Sequence, residues 1–223
     1  MMYLSRIAIN KRLRKSRQAL AFPQMIHAAV LDCFPPDFDE KRNDESNRVL
    51  WRIDYTGEQI WLYVLSREKP DFHHIVEQFG WPDSDQNGET KDYTKFLTRL
   101  ETGQLWHFRL HANPVKTIEG KIIPHSTVEY QKEWLRTRSL KNGFSFGQIE
   151  IGGEKYDDYD VIYRNIIKFK KSPLDKTRVT LSVATFEGVL MIEDVDLLCN
   201  ALCAGIGRAK AYGCGLMTLA NAT

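Results

Sequence analysis

The order of predicted elements makes this an α+β chain built from two successive βαββαβ units. Three observations predict it. Strand-like stretches with alternating apolar residues recur along the whole chain, interleaved with helical stripes. The first half runs strand, helix, strand, strand, helix, strand. The second half repeats that order without repeating the sequence. At 223 residues and 43% hydrophobic, the chain has material for two small cores.

Residues 3–9 alternate and are rich in β-branched side chains, which predicts the first strand. The cationic run Lys11, Arg12, Arg14, Lys15 and Arg17 is expected as a loop. Pro23 suits the first turn of a helix, and Met25, Ile26, Ala29, Val30 and Cys33 form its apolar stripe. The stripe centres about 130° from His27 at 100° per residue, so His27 points away from the core. Pro35 and Pro36 end that helix, and 37–47 is a polar loop. Residues 49–55 and 59–65, joined through Thr56 and Gly57, read as a hairpin. A short helix spans 71–79, with Asp71 as its cap after Pro70. A polar stretch, 83–91, and a helical turn or irregular segment, 93–100, follow. Residues 105–112 are the strand that closes the first unit, ending at Asn113-Pro114.

In the second half, 116–125 is basic and extended. A helix over 126–140 starts with a Ser126/Glu129 capping box. Strands are expected at 144–151, 159–169, 179–186 and 189–192, with a turn at 170–177 around Pro173. A helix over 194–204 leads into a glycine-rich loop and a last strand, 216–220. The element order is that of the ferredoxin-like fold, twice, with domains at 1–113 and 114–223.

Net charge is only +2, but its distribution is uneven. Cations gather at 11–17 and again from Arg164 to Arg178, where Lys168, Lys170, Lys171 and Lys176 face Asp175 as the lone acid. Such segregation suits an oriented electrostatic surface. None of the four cysteines forms a C-x-x-C pair, and three fall on apolar stretches, as core thiols of a reducing compartment do. There is no signal peptide and no twenty-residue apolar run, so the expectation is a soluble cytoplasmic protein with no membrane partner.

The most unusual stretch is 205–219. Gly205, Gly207, Gly213 and Gly215 lie within eleven residues, with Arg208 and Lys210 between them. Backbone amides freed by glycine, beside two cations, suit a phosphate. No Gly-Lys-Ser/Thr ends the loop, and too little chain follows for a dinucleotide-binding unit, so a polymer phosphate fits better than a nucleotide cofactor. A set of tight turns between packed elements is the alternative. For 163–178 two readings stand: a cationic ribbon that neutralises phosphates, or an edge hairpin kept soluble by lysine. His27 is either a proton-transfer residue or an ordinary surface histidine. His107 and His111, four apart on a strand, lie ~13 Å from each other, which predicts no metal site. Asp157, Asp158 and Asp160 read as a solvated loop rather than a chelating cluster.

Taken together, several stretches resemble the CRISPR-associated RNA-processing endoribonucleases of the type I-E Cascade complex. They are Met2-Tyr-Leu-Ser-Arg-Ile7, His27 eight residues before Pro35, Phe108-Arg-Leu-His-Ala-Asn-Pro-Val-Lys116, Thr185-Phe-Glu-Gly-Val-Leu190 and the glycine loop. The resemblance covers nearly the whole chain in order. It implies a tandem ferredoxin-like fold and an enzyme that cuts CRISPR repeat RNA beside a hairpin, without metal or other cofactor. The 2′-OH attacks the neighbouring phosphate, leaving a 2′,3′-cyclic phosphate and a 5′-OH. It implies His27 as the catalytic residue and the other Cascade subunits as partners. It also implies RNA contacts from the basic ribbon and the glycine loop; on physical grounds Lys116 and the 11–17 run are expected to add phosphate contacts. Family members often carry a tyrosine one turn before the histidine, where this chain has Gln24. A non-catalytic RNA-binding scaffold and a nucleotide-dependent enzyme are the competing classes.

Overall fold

The computed structural model describes residues 1–35, 38, 48–81, 88–170 and 178–222. The chain divides into two compact units. One comprises Met1–Thr98 and Lys210–Gly213, the other Arg99–Ala209 and Cys214–Thr223.

The first unit runs β1 (Tyr3–Ile9), α1 (Arg14–Ala21), α2 (Pro23–Leu31), β2 (Leu50–Thr56), β3 (Gln59–Ser66), α3 (His73–Phe79), β4 (Glu89–Asp92) and α4 (Thr94–Leu97). Its sheet has the antiparallel order β2-β3-β1-β4, the ferredoxin-like arrangement in which the first strand is central. Alternation explains the core. Ile7, Ile9, Trp51, Ile60, Leu62 and Val64 lie on one face and pack with Ala19, Ile26, Val30, Ile75 and Phe79 from the helices. The other face is not simply polar. Arg52, 1% exposed, forms a two-pronged ion pair with Asp54 at 2.7 and 2.8 Å and lies over the Tyr63 ring.

Two expectations change here. The cationic run is not all loop: a turn carries Lys11 and Arg12, and α1 begins at Arg14. The helix forms because Ser16 and Ala19, one turn apart, are buried, and Ser16 Oγ donates to the Phe79 carbonyl at 3.3 Å. The fourth strand is Glu89–Asp92, inside the stretch expected to be merely polar, and not 105–112. Four polar edge residues carry no apolar alternation, yet they complete the ladder on β1.

The second unit runs β5 (Leu105–Ala112), β6 (Val115–Ile118), β7 (Lys121–Pro124), α5 (Val128–Ser139), β8 (Phe144–Phe146), β9 (Gln148–Ile151), β10 (Glu154–Asp157), β11 (Tyr159–Lys170), β12 (Arg178–Ile192), α6 (Val195–Ala204) and β13 (Met217–Asn221). Its main sheet has the order β11-β12-β5-β13, with β8 beside the far end of β12. This is the same permutation, with β5 in the central place of β1. The expected boundary at 113/114 therefore moves to Thr98/Arg99, because β5 pairs with β12 and β13. The basic segment 116–125 is a hairpin, β6–β7. The expected strand at 144–151 breaks at Gly147 into β8 and β9. The two strands expected at 179–186 and 189–192 are one, since Glu187 and Gly188 stay in register with Arg109 and Phe108. The cap of α5 is Thr127, whose hydroxyl accepts from the Tyr130 N–H at 3.3 Å, instead of Ser126. Asp194 caps α6 in the same way at 2.9 Å.

Candidate nucleic-acid interface and cleavage site

His27 sits midway along α2, whose Pro23, Ile26, Ala29 and Val30 are buried. Its ring is half-buried rather than fully turned to solvent, because the helix has a second neighbour besides α1. That neighbour is the single-turn 3₁₀ helix Lys210–Tyr212, the middle of the glycine-rich loop, which packs on both α2 and β2. The fold thus brings His27's helix and the Lys210–Tyr212 turn into one unit, although nearly the whole chain separates them in sequence. Gln24 lies one turn before His27 on α2 and is also half-buried.

Two tryptophans seat the loop. Gly207 has φ +88°, and a Cβ there would stand 2.9 Å from the Trp134 ring. Gly213 has φ +80°, and a Cβ there would stand 2.7 Å from the Trp51 ring. Both positions need glycine for left-handed backbone and for close approach to an indole. Neither tryptophan was singled out from sequence as a loop partner: Trp51 reads as a strand residue, Trp134 as a helix residue. The loop amides are largely used internally. Gly205 N–H bonds the Ala201 carbonyl, Gly213 N–H that of Lys210, and Gly215 N–H that of His111, the last at 2.7 Å. Ile206 N–H closes the loop on the Gly215 carbonyl at 2.9 Å, and Arg208 bridges to Asn113. Gly213 and Gly215 are buried, whereas Arg208 is exposed and Lys210 half-buried. Arg208 is therefore the loop cation most open to solvent.

The 11–17 cations are mostly engaged within the first unit. Lys11 pairs with Glu58 at 2.6 Å, Arg12 lies 5.7 Å from the Trp81 ring centre, and Arg17 donates to the Lys11 and Arg12 carbonyls. Arg14 and Lys15 project from the first turn of α1 into solvent. In the second unit, Lys168, Lys170 and Arg178 are exposed on β11 and β12, with Lys168 opposite Thr180 and Lys170 opposite Arg178. Lys171 and Lys176 lie outside the described residues. Arg164 donates to the Ser126 carbonyl at the entrance to α5, and Lys116 is exposed on β6.

Other candidate groups have ordinary partners. His111 Nδ1 meets the Thr185 hydroxyl at 2.8 Å, Asp157 accepts from Gln148, and Asp160 pairs with Lys132 at 3.6 Å. Among the described residues no three His, Cys, Asp or Glu side chains are grouped to hold a metal ion. Burial pushes the thiols of Cys33 and Cys214 up to about 12, and the carboxylates of Asp71 and Asp32 add to the effect at Cys33. Both are core thiols rather than nucleophiles. No helix among the described residues is long and apolar enough to cross a membrane.

Comparison with known proteins gives the same picture from another side. The chain is 24% identical over 226 residues to the CRISPR-associated endoribonuclease Cse3 of Thermus thermophilus, covering 98% of this chain and all of that one. It is 28% identical over 173 residues to the Cascade subunit CasE of Escherichia coli, covering 71% and 80% of the two chains. Its fold matches that of Thermus thermophilus Cse3 bound to an RNA representing a pre-cleavage complex, with a TM-score of 0.77 at 24% identity over 98% of both chains. A model of the family described as CRISPR associated protein matches residues 2–221, and the chain therefore belongs to that family.

Proposed function

We propose that this chain is a metal-independent endoribonuclease that cuts CRISPR repeat RNA beside a stem-loop and stays with its product in a Cascade complex in the cytoplasm. The observation that carries the reading is the packing of α2, which bears His27, against the 3₁₀ turn of the glycine-rich loop, in a chain whose family match runs nearly end to end. The curated relatives are an endoribonuclease and a Cascade subunit, which agrees with it.

The reaction needs three things. The O2′ must lose a proton as it bonds to phosphorus. The O5′ must gain one as the P–O5′ bond breaks. The phosphate must be neutralised while charge builds on it. His27 makes one of the two proton transfers, and Lys210 or the exposed cations of α1, in the same unit, neutralise the phosphate. The products are a 2′,3′-cyclic phosphate and a 5′-OH. Lys168, Lys170 and Arg178 hold the stem through its backbone, because the narrow major groove of A-form RNA hides its base edges.

Single-turnover cleavage of a repeat hairpin tests this. His27→Ala slows cleavage about 10²–10⁴-fold and leaves hairpin affinity unchanged. A 2′-deoxy ribose at the scissile position abolishes cleavage by the wild type, and EDTA does not. Wild-type speed in His27→Ala rejects the role of His27; cleavage of the deoxy substrate rejects the reaction. One observation favours a scaffold that binds RNA without cutting it: Gln24 stands where relatives often place a tyrosine. Undetectable cleavage with tight hairpin binding is the outcome that selects the scaffold.

A further inference from the structure

The junction between β7 and α5 carries a feature the cleavage reading does not use. Tyr130, in the first turn of α5, is 61% exposed, and its ring centre lies 6.0 Å from that of His125 with the planes tilted by 41°. The backbone beneath is firmly held. The His125 carbonyl accepts from Gln131 Nε2 at 2.9 Å and from Ser182 Oγ at 3.5 Å, and the His125 N–H donates to the Pro114 carbonyl at 3.0 Å. Thr127 caps the helix on the Tyr130 amide.

Cations surround this aromatic step. Arg164 reaches in from β11 to the Ser126 carbonyl, and Glu129 offsets part of its charge. Arg138, just over two turns along α5, stacks 4.4 Å over Trp134, the same ring that seats Gly207 of the loop. Lys116 stands on β6, across the hairpin from Ile123. Burial first, then the charges of Lys116 and Arg138, hold the His125 imidazole below its ordinary pKa, so its ring is neutral at pH 7. A large exposed ring on a rigid base, edged by cations, is how proteins bind single-stranded nucleic acid: a base stacks on the ring and the cations take the flanking phosphates.

We propose that Tyr130, backed by His125 and flanked by Lys116, Arg138 and Arg164, is a stacking platform for an unpaired nucleotide of the RNA that flanks the stem-loop. This rests on the endoribonuclease reading above and adds a second, stem-independent foothold. The tyrosine supplies the π-face. Lys116 and Arg138 supply charge for the adjoining backbone.

The test compares two RNAs, each with a 2′-deoxy ribose at the scissile position: the blunt repeat stem-loop, and the same stem-loop extended by eight adenosines at either end. The wild type binds an extended RNA more tightly than the blunt one. Tyr130→Ala lowers affinity for the extended RNA about 5–150-fold, the worth of one stacked base. It leaves blunt binding unchanged, and Tyr130→Phe retains the gain. Arg138→Met, which removes the guanidinium from over Trp134, reduces the salt dependence of the gain. Equal affinities of the wild type for both RNAs, or a Tyr130→Ala variant that keeps the gain, overturn the platform. A wild type that ignores the stem-loop but binds oligoadenosine through Tyr130 overturns the stem-loop reading and keeps the platform.

Discussion

The two units share one strand order but place their charges differently. In the first, one charged pair lies inside the fold and several other charges are paired at its surface. Arg52 and Asp54 are buried together on β2, Arg6 lies over Trp61 while pairing with Glu89, and the cations next to α1 bind Glu58, an indole and carbonyls. In the second, β11 and β12 hold Lys168, Lys170 and Arg178 out in water at one edge of the sheet. A charge paired inside a fold is costly to take apart, whereas an exposed lysine near like charges gains by meeting phosphate. The buried Arg52–Asp54 pair is a stability element of the first unit, and the exposed edge of the second is where we propose that the RNA stem is held.

The sharpest way to break that contrast is to remove one member of the buried pair. Asp54→Ala leaves the Arg52 guanidinium in the core without its carboxylate and costs about 3–5 kcal/mol in denaturant unfolding. Replacing both, Arg52→Met with Asp54→Leu, recovers most of that loss. A change below 1 kcal/mol in Asp54→Ala shows that the pair is not what holds the face together. Next in size, Gly213→Val drives a side chain into Trp51 at a left-handed residue. It lowers stability by about 2–4 kcal/mol through overpacking and backbone strain. A folded, fully stable variant excludes the seat described here. Smallest in free energy is the pair Lys168→Ala and Lys170→Ala. Unfolding is unchanged, while the log–log salt slope of hairpin-RNA binding falls by about 1.4–1.8. An unaltered slope places this edge away from RNA and ends the comparison.

How much of this was legible in the sequence depends on the distance over which each feature is decided. Pro23 and the stripe through Ile26, Ala29 and Val30 mark α2 locally, and the hairpin of β2 and β3 declares itself by alternation around Gly57. The strand β4 hides, because Glu-Thr-Lys-Asp at a sheet edge needs no apolar residue. The assignment of β5 fails for another reason: element order fits either unit, and only its pairing with β12 and β13 decides. Trp51-Arg-Ile-Asp-Tyr55 reads as half-solvated alternation, so a buried ion pair is invisible there. The glycine loop was recognisable as special, but its purpose was only half legible. Gly207 and Gly213 answer to Trp134 and Trp51, residues far away in sequence. His27 was readable as off the apolar stripe, while its neighbour, the 210–212 turn, was not.

That turn has a consequence for the living chain. Lys210–Gly213 belongs to the first unit, yet the whole of Arg99–Ala209 is made before it. From Thr98 to Gly213 a ribosome adds about 115 residues, which takes about 6–23 s at roughly 5–20 residues per second. During that interval the nascent protein has made the strands and helices of its first unit without the piece that packs on α2. The helix that bears His27 therefore gains this packing neighbour only when the chain is nearly finished.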